Sequence, residues 1–343
     1  MIDEQQLLRT IEALVQPGKG ILAADESLPT ISKRLKAVGV ESTEEARRAY
    51  RSLLLGTAGI GDYLSGVILF EETLGQRSDD GTPLPELLQR QGIVPGIKVD
   101  KGTADLAQAP GDKITRGLDW LEDRLAGYRE QGARFTKWRD VYRIGPDNPS
   151  RLAIEANAEV LARYAAVAQE QGFVPIVEPE VLLDGDHDIQ RCAEVTEAVL
   201  QAVFEALHRH RILLEGMLLK PNMVLPGKDS GQQASPQQVA EATLRVFRRV
   251  VPAAVPSINF LSGGQTPEQA TANLDAMSRL RDRTHPWELS FSYARALQHP
   301  AMDIWAGRPE NAAAAQRAFL KRCRLTAAAR RGEYRPEMEN EAD

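Results

Sequence analysis

A single cation closes the short apolar run Gly216-Met217-Leu218-Leu219-Lys220, and Pro221 follows at once. Taking an ammonium out of water is costly, so a buried strand gains no stability by ending on one. The same desolvation lowers a lysine's pKa and frees its amine near neutral pH, which is what a Schiff-base nucleophile requires. The plain alternative is a strand-end lysine pointing into water. The choice depends on whether groups that such an amine needs gather around it.

Seven other apolar runs carry charge or phosphate-binding groups at the corresponding place. GILAA leads to Asp25, Glu26 and Ser27, SGVILF to Glu71 and Glu72, and IVPGI to Lys98 with Asp100 and Lys101 beyond. Lys137, Arg139 and Asp140 crowd ARFTKWRDVY, and Glu178 and Glu180 interrupt FVPIVEPEVL. PSINFL ends at Ser262-Gly263-Gly264, and WELSFSYA at Arg295. Any α/β protein has polar residues where strands meet loops, so one such group means little. Here most lie within the run or at its last residue, and Glu178 and Glu180, two apart, share a face. Lys98 and Lys137 near Lys220 would lower its pKa further by like-charge repulsion. Nearby carboxylates can move protons for carbinolamine dehydration and C–C cleavage. Ser262-Gly263-Gly264 opens into a helix whose first N–H groups can hold a phosphate, with Arg295 as charge partner. Together these groups suggest Schiff-base chemistry on a phosphorylated carbonyl compound.

The elements that must position them alternate. Apolar strands are expected at 20–27, 65–72, 93–102, 133–142, 173–182, 216–220, 256–265 and 287–295, with a helix or loop between each pair. Leu7, Leu8, Ile11, Leu14 and Val15 mark an amphipathic helix over 3–15. Ser42-x-x-Glu45, Ser235-Pro236-Gln237-Gln238 and Thr266-Pro267-x-Gln269 have the form of helix N-caps. Gln131-Gly132 and Gln171-Gly172 each stop a helix just before a strand. Strands alternating with helices imply parallel βαβ units, and eight of them an α/β fold closed as a (β/α)8 barrel, a TIM barrel. No G-x-G-x-x-G follows the first strand, which weighs against a dinucleotide fold. No composition shift marks a second domain. One domain over 1–343 is expected: the N-terminal helix, the barrel over about 20–300, and an Ala/Arg-rich helix with a polar tail over about 301–343.

The 343 residues, 43% hydrophobic and 26% charged, have the composition of a soluble globular protein. The net charge of −6 and the lack of long basic blocks argue against nucleic acid, and no apolar run reaches the length of a membrane span. The acidic N-terminus is unlike a targeting peptide, and the two cysteines, Cys192 and Cys323, fit a reducing cytoplasm. Five scattered histidines make a dedicated zinc site unexpected. DGDHD over 184–188 looks like a cation loop, but Ile189 stands where an EF-hand reading needs Gly, which leaves His187 as a loop or helix-start residue. Trp138 alternates with Lys137 and is expected to face the helices.

The stretches ILAADES, GIKVDKG, FTKWR, PIVEPE, DGDHD, LLKPNM, FLSGGQ and FSYARALQ, in that order from about residue 20 to 300, resemble class I fructose-bisphosphate aldolase. Together they are specific, whereas any one alone is not. The resemblance implies a metal-independent (β/α)8 barrel with no cofactor, usually a homotetramer. The implied reaction is reversible cleavage of fructose 1,6-bisphosphate, a phosphorylated sugar substrate. It implies the Schiff base at Lys220 and carbinolamine acid/base work at Glu178. Asp25 takes the C4 hydroxyl proton, Lys137 supports charge beside the nucleophile, and Glu180 orients those lysines. Lys98 matches the active-site lysine of GIKVDKG, and Arg139 a substrate contact. Ser262, Gly263 and Arg295 match one phosphate site, and Ser27, Lys33 and Arg34 fall where the family contacts the other, although Leu28-Pro29 departs from the small residues expected there. Animal members end on a tyrosine that helps protonate the enamine. This chain ends Glu341-Ala342-Asp343, with its last tyrosine at Tyr334, so another acid or water is expected to serve. A related aldolase acting on sedoheptulose 1,7-bisphosphate is the enzymatic alternative. An idle scaffold barrel is the non-enzymatic one, and its mark would be loss of Lys220, Glu178 or Asp25.

Overall fold

Largely buried apolar strands alternate with helices along almost the whole chain. The computed structural model describes residues 2–282 and 284–341. In chain order the elements are α1 (Glu4–Leu14), β1 (Gly20–Ala24), α2 (Leu28–Ala37), α3 (Glu44–Leu55), β2 (Leu64–Leu69), α4 (Glu71–Leu74), α5 (Leu84–Arg90) and β3 (Val94–Lys98). A hairpin follows, β4 (Thr103–Asp105) and β5 (Lys113–Thr115), then α6 (Leu121–Glu130), β6 (Phe135–Tyr142), α7 (Arg151–Glu170), β7 (Val174–Val181), α8 (Ile189–Arg209) and β8 (Leu218–Leu219). The chain continues with α9 (Pro236–Val250), β9 (Ser257–Phe260), α10 (Pro267–Leu280), β10 (Glu288–Tyr293), α11 (Arg295–Trp305) and α12 (Ala312–Arg330).

Among the described residues, eight parallel strands close into a barrel in the order β1-β10-β9-β8-β7-β6-β3-β2. The expected (β/α)8 architecture is therefore present. Alternation along each strand divides the side chains. On β6, Thr136, Trp138, Asp140 and Tyr142 point to the helices, while Phe135, Lys137 and Arg139 point inward. Trp138 stacks on Tyr164 of α7, with ring centroids 5.4 Å apart. The inward set forms a separate apolar cluster of Ile21, Ala23, Ile68, Phe135, Val174, Ile176 and Leu218, which Leu7, Ile11 and Leu14 of α1 close from below. Phe135 fills this floor because glycines face it: a Cβ at Gly96 would lie 2.3 Å from its ring. Charge can therefore enter the barrel only above this plug, at the C-terminal ends of the strands.

Both QG stops form as expected, with Gly132 and Gly172 at φ +100° and +71°, where a side chain would be strained. The capping boxes at Ser235 and Thr266 are also present. The cap of α3 is Thr43, not Ser42. Thr43 Oγ1 accepts from the Ala46 amide at 3.0 Å, while Ser32 donates to the Ser42 hydroxyl. The β4–β5 hairpin and α11 are additions to the expected pattern.

Candidate active site

Asp25, Lys137, Glu178 and Lys220 meet above the apolar plug. Asp25 is the residue after β1, Lys137 and Glu178 lie inward on β6 and β7, and Lys220 follows β8, its amide donating to Val177 O at 2.8 Å. None is more than 7% exposed. Lys137 Nζ lies 2.7 Å from Asp25 Oδ2 and 3.2 Å from Glu178 Oε2. Glu178 Oε1 lies 3.3 Å from Lys220 Nζ. One carboxylate thus faces both lysines, with one oxygen toward each. Two cations and two anions alternate, so each desolvated charge has an opposite neighbour.

This pattern gives the two lysines different surroundings. Burial opposes the Lys137 ammonium, but Asp25, Glu178 and Asp100 outweigh it and push its pKa above the ordinary lysine value. Lys137 is therefore fixed as a cation. Burial likewise pushes the Asp25 carboxyl up, yet Lys137, Lys220 and Lys98 outweigh it and hold it well below the usual carboxylate range. Burial, together with Lys137, lowers the Lys98 pKa against the pull of Asp100. Lys98 Nζ sits 2.5 Å from Asp100 Oδ1 and donates to Asp100 O at 2.8 Å.

Glu180 makes a different contact from the one expected of it. It accepts from Arg139 Nε, and no contact ties it to either lysine among the described residues. Two residues along β7 carry it past Glu178, and its register partner is Val141, beside Arg139. Glu72 also lies apart from the cluster, on α4, paired with Arg47 at 2.5 Å.

Ser262 is buried after β9, and Gly263 is constrained: a Cβ there would meet Leu261 at 2.5 Å and Glu180 Oε1 at 3.2 Å. Arg295 opens α11 at the same mouth. Partial burial, then repulsion from Arg34 and Arg139, lower its pKa, with Glu180 and Asp184 opposing. Arg34 and Arg139 thus both approach Arg295 at the barrel mouth. Ser27 precedes α2 with its hydroxyl 3.1 Å from that of Thr30, and Lys33 is exposed. Arg34 is paired with Glu26. Tyr334 is buried with its hydroxyl donating to Glu339 at 2.9 Å. Ala342 and Asp343, the end of the tail, lie outside the described residues. In DGDHD, Asp184 pairs with Lys228, Asp188 caps α8 and His187 is buried in the loop.

Sequence reasoning assigned no role to Glu26, Arg51 or Gln298, which form one buried network, or to Asp140. Asp140 is fully buried behind β6; Trp138 donates to its Oδ1 at 3.0 Å and its Oδ2 has no protein partner among the described residues. Burial foremost, with Asp100 adding, pushes its pKa up to about 8.

An eight-stranded parallel barrel with a lysine and acids converging at the C-terminal strand ends is the layout of a barrel lyase working on carbonyl compounds. The family model described as glycolytic, class-I fructose-bisphosphate aldolase matches residues 6–343. A cytosolic fructose-bisphosphate aldolase of Arabidopsis thaliana is 56% identical over 330 residues, which cover 96% of this chain and 92% of that one. A probable class 1 fructose-bisphosphate aldolase of Xanthomonas campestris is 52% identical, covering 96% and 99%. The fructose-bisphosphate aldolase of Plasmodium falciparum, solved in complex with TRAP and a small-molecule inhibitor, superposes with a TM-score of 0.94 at 47% identity, covering 96% of this chain and 95% of that one. The chain belongs to the class I fructose-bisphosphate aldolase family.

Proposed function

We propose that Lys220 is the Schiff-base lysine of this chain and that Glu178, Asp25 and Lys137 act around it. The chain is a fructose-bisphosphate aldolase, which reversibly cleaves fructose 1,6-bisphosphate to dihydroxyacetone phosphate and glyceraldehyde 3-phosphate. The observation that carries the assignment is Glu178, with one oxygen 3.3 Å from Lys220 and the other 3.2 Å from Lys137. Lys137, held charged between two carboxylates, is unsuited to attack. Lys220 faces a single oxygen of one carboxylate, Glu178.

The Lys220 amine adds to the C2 carbonyl of the ketose. Glu178 delivers a proton to the carbinolamine hydroxyl, which leaves as water and gives the iminium. Asp25, held ionised, takes the C4 hydroxyl proton. The C3–C4 bond breaks, its electron pair enters the enamine, and glyceraldehyde 3-phosphate departs. Protonation at C3 and hydrolysis then release dihydroxyacetone phosphate and restore the amine. Lys137 keeps its charge throughout and steadies the oxygen atoms between the two acids. Ser262, Gly263 and Arg295 hold one phosphate, and Arg34 with Ser27 and Lys33 the other. Arg139, tied to Glu180, and Lys98, tied to Asp100, line the sugar between them.

All the relatives compared are named as fructose-bisphosphate aldolases, which disfavours sedoheptulose 1,7-bisphosphate as main substrate. Lys220, Glu178 and Asp25 are all present, which disfavours an idle scaffold. A single domain with α1 as its floor, a cytoplasmic location and a homotetramer complete the reading. The test is borohydride reduction with substrate followed by mass spectrometry of the digested protein. The adduct is expected on Lys220; an adduct on Lys98, or none, would refute the assignment.

A further inference from the structure

The residue after Asp25 points the other way. Asp25 faces the barrel interior, and Glu26 faces the helices outside it, where it is 7% exposed. Its two oxygens are fully engaged. Oε1 accepts from Arg34 Nη1 and from Gln298 Nε2, the latter at 3.0 Å, and Oε2 accepts from Arg51 Nη2. Gln298 also donates to Ala23 O at 2.7 Å and accepts from Arg51 Nη1 at 3.3 Å. The Arg51 side chain is 2% exposed and that of Arg34 is 21%.

This network has a definite reach. Arg34 lies on α2, Arg51 on α3 and Gln298 in the first turn of α11, three residues after Arg295. One carboxylate at the end of β1 therefore ties together the helices that carry Arg34 and Arg295. Arg51 neutralises the buried carboxylate from the closed side. Arg34 uses one nitrogen on Glu26, and its planar fork keeps further N–H groups for an anion at the mouth. A long side chain otherwise loses rotamer entropy when a ligand fixes it, and the network removes part of that cost beforehand.

We propose that Glu26 is a positioning residue which, through Arg34 and Gln298, sets the enzyme's preference for a sugar carrying two phosphates over one carrying a single phosphate. This rests on the reading of Arg34 as a contact to the second phosphate. Glu26 touches no reacting atom, so its loss acts on recognition of that phosphate and leaves the C–C cleavage step alone.

The experiment compares kcat/KM for fructose 1,6-bisphosphate with kcat/KM for fructose 1-phosphate, which lacks the second phosphate, in the full-length enzyme. For Glu26→Gln the ratio is expected to fall about tenfold, from loss of one charge-assisted contact, chiefly through KM for the bisphosphate. A general structural defect would lower both values together and leave the ratio unchanged, which overturns the proposal. A fall in KM for the bisphosphate also overturns it, because Glu26 would then be competing with phosphate for Arg34. Should Glu26→Gln fold poorly, with Arg51 left without its carboxylate, Arg34→Lys supplies the test. It keeps the charge but removes the fork, and it is expected to lower the ratio like Arg34→Ala; an unchanged ratio overturns the proposal. If Arg34→Ala leaves the ratio unchanged, the phosphate reading of Arg34 fails, and the proposal with it. If Arg34→Ala lowers the ratio while Glu26→Gln and Arg34→Lys do not, that reading stands and the positioning role of Glu26 is refuted.

Discussion

Replacing Asp140 with asparagine should make the protein more stable at alkaline pH and leave it unchanged in acid. Asp140 is fully buried, and its pKa rises from 3.8 to about 8 in the folded protein. Between those values the folded chain keeps the proton and the unfolded chain releases it. The stability from protonated Asp140 is therefore complete below about pH 4 and is lost as pH rises to about 8, at about 1.4 kcal/mol per pH unit. The full gap of about four units corresponds to a ceiling of about 6 kcal/mol, and the span from about pH 5 to 8 to about 4 kcal/mol. Asparagine has the same shape, retains an acceptor for the Trp138 indole N–H and cannot ionise. With an unfolding entropy of about 2.1 cal/mol/K per residue over 343 residues, 4 kcal/mol is about 6 °C in Tm. The assay is thermal unfolding of both proteins from about pH 5 to 9, read as the difference in Tm, so that titrations common to both cancel. The difference should grow with pH in favour of Asp140→Asn and level off above about pH 8. A difference that is flat with pH would show that Asp140 is ionised in the folded state and would refute the reasoning.

Lys220→Ala should abolish turnover while the circular dichroism spectrum stays that of the parent; collapse of the spectrum would instead make Lys220 a structural residue. Lys137→Ala leaves Asp25 and Glu178 buried beside a missing cation and should cost about 3–5 kcal/mol, read from denaturant midpoints. Gly96→Ala drives a methyl into the Phe135 ring and should destabilise by at least about 1–3 kcal/mol, while the same change at the exposed Gly81, where no atom lies within 4 Å, should cost only the strain of its positive φ. Activity should persist in EDTA, since the assigned steps use only side chains; its loss would contradict the Lys220 mechanism.

The barrel and the main cluster were legible in the sequence because both follow from strict local rules. Period-two alternation placed Trp138 against α7 and Lys137 inward, and the same parity brought Glu178 to Lys220. What escaped detection depended on distance or on competing local signals. Ser42 and Thr43 are both good caps, and only the fold shows that Ser42 is taken up by Ser32. Pro300 lies inside α11, where a proline removes a main-chain hydrogen bond and ordinarily argues against a helix. The hairpin strands β4 and β5 are three residues each, too short to show a period. The family resemblance alone implied that Glu180 orients the lysines, yet two residues along the strand from Glu178 it meets Arg139. Glu26, Arg51 and Gln298 are joined across 25 and 272 residues of chain, and no local pattern announces such a meeting.

The arrangement also bears on how the proposed site keeps one lysine reactive among several. Each cation is distinguished by how many carboxylates it holds. Lys137 has two, Asp25 and Glu178, and stays charged. Lys98 is committed to Asp100 through both side chain and backbone. Lys220 has one oxygen of Glu178, and Lys137 has the other. Asp25 is held ionised by the lysines around it, so it can accept a proton but has none to give. On the proposed mechanism, Glu178 is therefore the acid set between the attacking amine and the fixed cation, within reach of the carbinolamine that Lys220 would form.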